Sequence, residues 1–282
     1  MGRTLTYPKR DINTVKRYAH RGTYTSIRHC PQLLTRIAAT YDVAAIHTII
    51  NLSQVLHVSF SPGPEDPFPA TIPMIGQMGS FEYPSADLGE PLDCYIHGYV
   101  SARMANLARQ SEEGLPVCIS ASKVDGLVLS LTPYNHSYNY RSAILHGYAK
   151  LVTDEEEKMW AMKMITDSVV PSRWDNSRTP PDKGELASTS ILRVKIVAGS
   201  GKIRDGCASD EKKDYQNDEL TSRVWTGVVP VYEVLGQPVP NPDNKVAEVP
   251  EYIQSYVDGY TKKSKEYALG ATKVALPEEE QH

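Results

Sequence analysis

The sequence predicts a mainly β protein of the α+β class, in which helices pack at the ends of an antiparallel β-barrel. Three observations support this fold class. About seven segments of the 282-residue chain have the composition and length of strands. A few helical segments lie between them, in an order that does not repeat a βαβ unit. Hydrophobic residues make up 40% of the chain, which is enough for a sizeable core.

The strands are predicted from short apolar or alternating runs that are bounded by turn residues. Pro73 places one of them at a sheet edge or a bulge, because proline cannot donate a ladder hydrogen bond. The pair Asp125-Gly126 indicates a turn between two others. The predicted strands cover residues 54–60, 71–75, 93–98, 116–121, 126–131, 140–152 and 188–197.

The helices are predicted from apolar residues at helical spacing and from capping residues. Asp42 and Ser101 each stand where an N-cap is expected. Thr153 and Glu156 have the spacing of a capping box. The predicted helices cover about residues 11–19, 31–39, 43–50, 102–110, 154–169 and 251–269.

This pattern divides the chain into three predicted parts. Residues 1–40 form a helical or irregular extension, and residues 41–235 form the barrel domain, in which residues 205–223 are a charged loop. Residues 236–282 comprise a proline-rich linker, a peripheral helix and a disordered acidic tail.

Composition excludes several classes of function. The net charge is −4, which argues against nucleic acid as a partner. No apolar run reaches the roughly 18–20 residues of a membrane span, so no membrane association is expected. The four cysteines are widely spaced, and the N-terminus lacks the apolar core of a secretory signal. These features predict reduced thiols, no metal site and a cytoplasmic location.

The first candidate site follows the strand at residues 93–98. Ile96-His97-Gly98 ends this strand, and Ser101 and Arg103 stand at the start of the next helix. Backbone N–H groups, a hydroxyl and a cation would then converge on one point, which suits an anion such as phosphate. The alternative is an ordinary N-cap beside a surface arginine.

Two further segments carry cations on strands. Arg141 shares a strand face with Ala143 and Leu145, so it is predicted to be buried and to need an anion, either a ligand or an internal carboxylate. Lys202 and Arg204 share another strand face. This face either contacts a ligand or is a solvated edge of the sheet.

The order of these motifs resembles one family. The blocks are I-P-M at Pro73 and Met74, I-H-G-x-x-S-x-R, V-D-G-L-V-L, H-S-x-N-Y-R-S, G-K-I-R and W-x-G-V. Over about residues 41–230 the chain is similar to the flavin-nucleotide-binding branch of the pyridoxamine 5′-phosphate oxidase-like split barrels, which includes nitroimidazole-resistance reductases. The resemblance implies an antiparallel split β-barrel, and a homodimer that holds FMN at the subunit interface.

The resemblance also implies which residues bind FMN. Ser101 and Arg103 match the phosphate-binding pair, and Trp225 belongs to a block that closes over the flavin. The complete implied set is Pro73, Met74, Ile96, His97, Ser101, Arg103, Arg141, Ser142, Lys202, Arg204 and Trp225.

These features predict an FMN-dependent oxidoreductase that passes electrons from NADH or NADPH to a small organic substrate. His136 and Tyr138 are the candidate proton donors, unless they only brace the loop before their strand. The alternative function is a non-catalytic protein that binds or carries a flavin or haem.

Overall fold

The computed structural model describes residues 36–100 and 102–273. Nine strands lie in this part of the chain: β1 (Arg36–Thr40), β2 (Leu56–Phe60), β3 (Ala70–Met74), β4 (Gly76–Gly79), β5 (Asp93–Tyr99), β6 (Leu115–Leu129), β7 (Ser137–Leu151), β8 (Thr189–Asp205) and β9 (Gly227–Pro230). The helices there are α1 (Val43–Asn51), α2 (Arg103–Gln110), α3 (Glu155–Val169), α4 (Lys183–Ser188), α5 (Lys212–Tyr215), α6 (Asp218–Arg223) and α7 (Glu251–Ala271).

The strands form one sheet in the order β3-β2-β6-β7-β8-β5-β4, to which β9 adds on β6 and β1 on β8. The pairings of β2 with β3 and β6, and of β5 with β4 and β8, are antiparallel. With its flanking helices, this is the mainly β split-barrel fold that the sequence predicts. Pro73 lies on β3, at one end of the strand order, where its missing N–H costs no hydrogen bond to a further strand.

The chain divides into two compact units, and the boundaries fall inside the long strands β6, β7 and β8. Among the described residues, the first unit holds 40–122 and 142–201. The second unit holds 36–39, 123–141 and 202–273.

A polar group joins three elements at the core of the first unit. Tyr95 on β5 donates from its hydroxyl to Glu157 Oε1 at 2.7 Å, and Arg193 on β8 donates to the same oxygen at 2.9 Å. The Tyr95 ring meets Trp160 of α3 edge to face, with 5.1 Å between centroids. Because the Glu157 carboxylate is buried, these two donors replace the water it loses.

One predicted turn is instead part of a continuous strand. Asp125 and Gly126 lie within β6, whose residues 126–129 pair with β9. A Cβ on Gly126 would stand 2.8 Å from Val228 Cγ1, so glycine is required there for close packing of the two strands. The separate strands predicted at 116–121 and 126–131 were therefore wrong, because this glycine permits a close approach and marks no turn.

Other elements differ from the prediction for local reasons. Residues 36–40 form β1, in place of the end of the helix predicted at 31–39; the rest of that helix, like the one at 11–19 and the acidic tail from residue 277, lies outside the described residues. Asp154, and not Thr153, caps α3, with its carboxylate accepting from the Glu157 N–H. At α2 the N-cap position is Ala102, which has no side-chain cap.

Two regions hold more regular structure than expected. The predicted charged loop at 205–223 contains α5 and α6, and Asn217 caps α6 by accepting from the Leu220 N–H. β8 continues past the predicted end of its strand to Asp205, and Gly201 within it packs where a Cβ would meet Thr40 Cγ2 at 2.6 Å. Within the described part, no helix is long and apolar enough to cross a membrane.

His47 makes the stability of the first unit dependent on pH. Its ring is fully buried on α1, and its Nδ1 is 2.8 Å from the carbonyl oxygen of Leu88. Burial lowers the pKa of His47 to about 4. As the pH falls from about 6.5, where a histidine of the unfolded chain titrates, to about 4, the unfolded chain takes up a proton that the folded chain excludes.

We therefore expect the free energy of unfolding to fall by up to about 3 kcal/mol over this range. Urea unfolding at several pH values measures it. His47→Gln should flatten the dependence, whereas the matched substitution His57→Gln, at an exposed histidine of β2, should preserve it. An equal pH dependence in His47→Gln and the unmodified chain would contradict the assignment.

Candidate functional site

In the first unit, β3, β4 and β5 bring four predicted site residues together. Gly76 of β4 pairs with Ile96 of β5, and the His97 N–H donates to Ile75 O at 3.4 Å. A Cβ on Gly76 would stand 2.5 Å from Ile96 Cγ2, so the two strands approach closely. Pro73 and Met74 end β3 just before this contact, and the Met74 side chain reaches Gly98, the residue after His97 on β5.

The end of β5 leaves space beside the backbone. A Cβ built on Gly98 would meet only Met74 Cε, at the ordinary contact distance of 3.4 Å. The same strand pairs Gly98 with Ser190 of β8. The Ser190 hydroxyl and His97 Nδ1 are buried polar atoms without a hydrogen-bond partner among the described residues. Polar groups of this kind are costly unless a further partner satisfies them.

Arg103 is the first residue of α2 and is exposed. Its Nη2 donates to the carbonyl oxygen of Pro62 at 2.8 Å, which fixes the guanidinium beside the segment that follows β2. The remaining N–H groups of the guanidinium can donate to an anion. Ser101, the predicted partner of Arg103, lies outside the described residues.

In the second unit, Arg141 pairs with a carboxylate. Its Nη2 donates to Asp125 Oδ1 at 3.0 Å and its Nε to Oδ2 at 3.2 Å, and both side chains are buried. Tyr267 of α7 stacks on the guanidinium, 3.4 Å from the ring centroid to Cζ. Burial raises the pKa of Asp125, and the Arg141 charge opposes that shift. The internal carboxylate was one of the two partners expected for Arg141.

Lys202 and Arg204 have different surroundings on β8. Arg204 is buried and donates to Asn139 Oδ1 and, at 3.4 Å, to Cys207 O. Lys202 Nζ lies 5.6 Å from the centroid of the Tyr140 ring. Trp225 is 65% exposed, and its indole covers Gly227 so closely that a Cβ there would lie 2.6 Å from the ring.

The two candidate proton donors lie at the start of β7: His136 directly precedes the strand, and Tyr138 is its second residue. His136 Nδ1 accepts from the Ser130 N–H at 2.9 Å, so in a neutral ring the proton resides on Nε2. Tyr138 is exposed. His136 therefore braces its loop through Nδ1, which is one of the two roles considered for it, and proton donation stays a prediction.

The structure thus places the predicted residues in two groups. The first unit contains Pro73, Met74, Ile96, His97, Arg103 and Ser142, and the second contains Arg141, Lys202, Arg204, Trp225, His136 and Tyr138. Asp125 and Tyr267, which both contact Arg141, were not predicted. The buried charge of Arg141 was the signal for Asp125, whereas the sequence has no signal for Tyr267.

Residues 42–203 match the family model for pyridoxamine 5′-phosphate oxidase. The chain belongs to this family. The matched range includes Met74, His97 and Arg103, and the family inferred from the sequence motifs is confirmed. No curated protein matches the chain.

Solved structures that are similar to the chain include two of known cofactor content. The flavocytochrome Anf3 from Azotobacter vinelandii is 27% identical, with a TM-score of 0.62 over 77% of this chain and 91% of that chain. The FAD and haem binding protein from Mycobacterium smegmatis is 22% identical, with the same TM-score over 78% of this chain and 97% of the other. At that identity the second match supports the fold alone.

We expect the pair of Arg141 and Asp125 to be costly to break on one side. Arg141→Met leaves a buried carboxylate without its cation and should lower the free energy of unfolding by about 3–5 kcal/mol. Asp175→Ala, which breaks the exposed pair of Lys163 and Asp175, should cost less than about 1 kcal/mol. Urea unfolding compares them, and equal costs would show that Asp125 does not depend on Arg141.

Proposed function

We propose that the chain is a flavin-binding redox protein, with FMN as its flavin, that passes electrons from NADH or NADPH to a small organic acceptor. The family match over residues 42–203 carries this proposal, because it contains the segment from Ile96 to Arg103. The 27% identical flavocytochrome supports a flavin in the same fold. A bound flavin supplies the redox chemistry, as hydride or single-electron transfer, so the chain needs no nucleophile of its own.

The residues of the first unit fit a flavin. The exposed guanidinium of Arg103, at the N-terminus of α2, would bind the phosphate. The open side of Gly98 lets a ligand approach the backbone of β5. His97 Nδ1 and the Ser190 hydroxyl are polar groups that the described residues leave without a partner, and a polar cofactor would satisfy them.

Arg103 is preferred to Arg141 as the phosphate ligand because their surroundings differ. The Arg141 guanidinium already has a carboxylate on one edge and an aromatic ring on its face. Arg103 has a carbonyl oxygen as its partner and is open to solvent. An incoming phosphate would therefore meet an available cation at Arg103.

A homodimer is part of the proposal. Trp225, Tyr134 and Tyr138 expose more than half of their surface, and aromatic side chains are enriched in interfaces between proteins. Light scattering of the purified protein measures the mass, and a monomer that still holds flavin would contradict the dimer.

Haem binding alongside the flavin is a second candidate function. Its support is the flavocytochrome match, and a haem would need an accessible axial ligand. His57 meets that requirement, because it is exposed on β2, opposite Pro73. A Soret band in the purified protein that is lost in His57→Ala would establish this candidate; its absence from haem-supplemented protein would exclude it.

The purified protein should show a flavin absorption spectrum that NADH or NADPH bleaches and an organic acceptor restores. Chromatography of the released cofactor distinguishes FMN from FAD. A flavin that binds but is not bleached would indicate a carrier.

In the same assay, His136→Gln tests proton donation. We expect the variant to reduce the acceptor more slowly while its flavin is bleached at an unchanged rate. Wild-type rates for both steps would leave His136 with its bracing role only.

Arg103→Gln should weaken FMN binding by about 1.5–3 kcal/mol, the range for a hydrogen bond to a charged group. Riboflavin, which lacks the phosphate, should bind the variant as well as it binds the unmodified protein. Arg178→Gln, at an exposed arginine that is not a candidate flavin residue, is the control and should leave both affinities unchanged. Fluorescence quenching measures them, and equal losses for FMN and riboflavin would contradict the phosphate contact.

A further inference from the structure

A pocket of about 240 Å³ lies in the second unit, beside the C-terminal end of α7. Its walls come from β6, from the end of β8 and from α7 with the residues that follow it. Its charged lining residues are Asp125, Arg204, Asp205 and Lys273. None of the first unit's candidate flavin residues lines it.

Arg204 on this wall is a buried cation with weak compensation. Arg204 is 4% exposed. Its guanidinium donates to the Asn139 amide oxygen and to the Cys207 carbonyl oxygen. Among the described residues, no carboxylate lies within 4.0 Å of it. Burial lowers the pKa of Arg204, which reflects the cost of the charge. A guanidinium has five N–H donors and keeps its proton, so an anion is the partner that offsets this cost.

The charges around the pocket also favour an anion. Asp125 is neutralised by Arg141, and Asp205 Oδ2 lies 3.3 Å from Lys273 Nζ. Each carboxylate of the wall is thus paired with a cation, and Arg204 is the lining cation that has no such pair among the described residues. Asp205 Oδ1 is buried without a hydrogen-bond partner in the described part of the chain, so it can accept from a donor but does not itself favour an anion.

The rest of the wall is apolar. Tyr267, Ile203 and Ala271 line it, and the volume lies below the roughly 300–1,000 Å³ of pockets for drug-sized ligands. We propose that this pocket binds a small organic carboxylate with an apolar body, whose charged group meets Arg204. The proposal is separate from flavin binding by the first unit. The other anion that Arg204 could meet is the flavin phosphate, which the family resemblance implied, and the experiment distinguishes the two.

Benzoate is the probe, titrated calorimetrically into the full-length protein with and without saturating FMN. We expect saturable binding of one benzoate per chain that FMN does not reduce. Benzyl alcohol, with the same ring but no charge, should bind at least about tenfold more weakly, as should inorganic phosphate. Flavin content is measured separately by visible absorbance, so a failure of flavin binding would not obscure the result.

Gly270 allows a direct block of the pocket. It lines the pocket, and a Cβ built on it meets no atom within 4 Å, so Gly270→Leu should fold and occupy the space. Gly259, on the same helix, also has open space around its Cβ and does not line the pocket. Gly270→Leu should weaken benzoate binding at least about tenfold, whereas Gly259→Leu should leave it unchanged.

Lys273→Gln provides a second variant if Gly270→Leu is unstable. Lys273 is half exposed, so its substitution should be tolerated, and the loss of one positive charge should weaken benzoate binding several-fold. Unchanged benzoate affinity in a folded Gly270→Leu or Lys273→Gln protein would overturn the proposal. Phosphate binding as tight as benzoate, or loss of benzoate binding on addition of FMN, would instead assign Arg204 to the flavin and also overturn it.

Discussion

The burial of Arg141 dictates much of the second unit's structure. A guanidinium removed from water must keep its proton, so the protein must supply an anion and fill the space around the ion pair. Asp125 supplies the charge from the neighbouring strand, and Tyr267 covers the guanidinium face. The aromatic ring comes from α7, so the last helix of the described chain is an integral part of the core that surrounds the ion pair.

Further contacts hold α7 in this position. Asn139 donates to both Gly206 O and Ala271 O, which ties β7 to the end of the helix. Near the middle of α7, the Lys123 ammonium lies 3.1 Å from the Tyr260 hydroxyl. A helix fixed at several points keeps Tyr267 on Arg141. The segment predicted to be a peripheral helix therefore stabilises a buried charge.

The sequence predicted what depends on local pattern. The alternation after Arg141 placed Ala143 and Leu145 on a buried face, and both are buried on β7. The helix predicted at 251–269 is α7, within two residues of its observed end. Asp42 caps α1 as expected, because its carboxylate accepts from the Ala45 N–H.

What the sequence could not predict depends on contacts between distant segments. Gly126 has the local signature of a turn, yet its role is set by Val228, which approaches it from β9. For Arg141, the need for an anion was predictable, but the choice between a ligand and Asp125 was not, because both satisfy the charge. The candidate site has the same limit: the motifs identified Arg103 and Arg141 alike as flavin contacts and could not show that Arg141 is already paired with Asp125.

This difference in environment determines what each arginine can do. A phosphate that bound Arg141 would have to displace Asp125 or bring a dianion against it, and like charges at that distance in a buried site are strongly unfavourable. Arg103 faces no such competition, since its Pro62 partner is a neutral carbonyl. Arg204 is the intermediate case, buried like Arg141 but hydrogen-bonded only to neutral oxygens among the described residues. The partner of each guanidinium therefore distinguishes the roles of these arginines. An arginine already paired with a carboxylate stabilises the fold, and one that has only neutral hydrogen-bond partners is available to an anionic ligand.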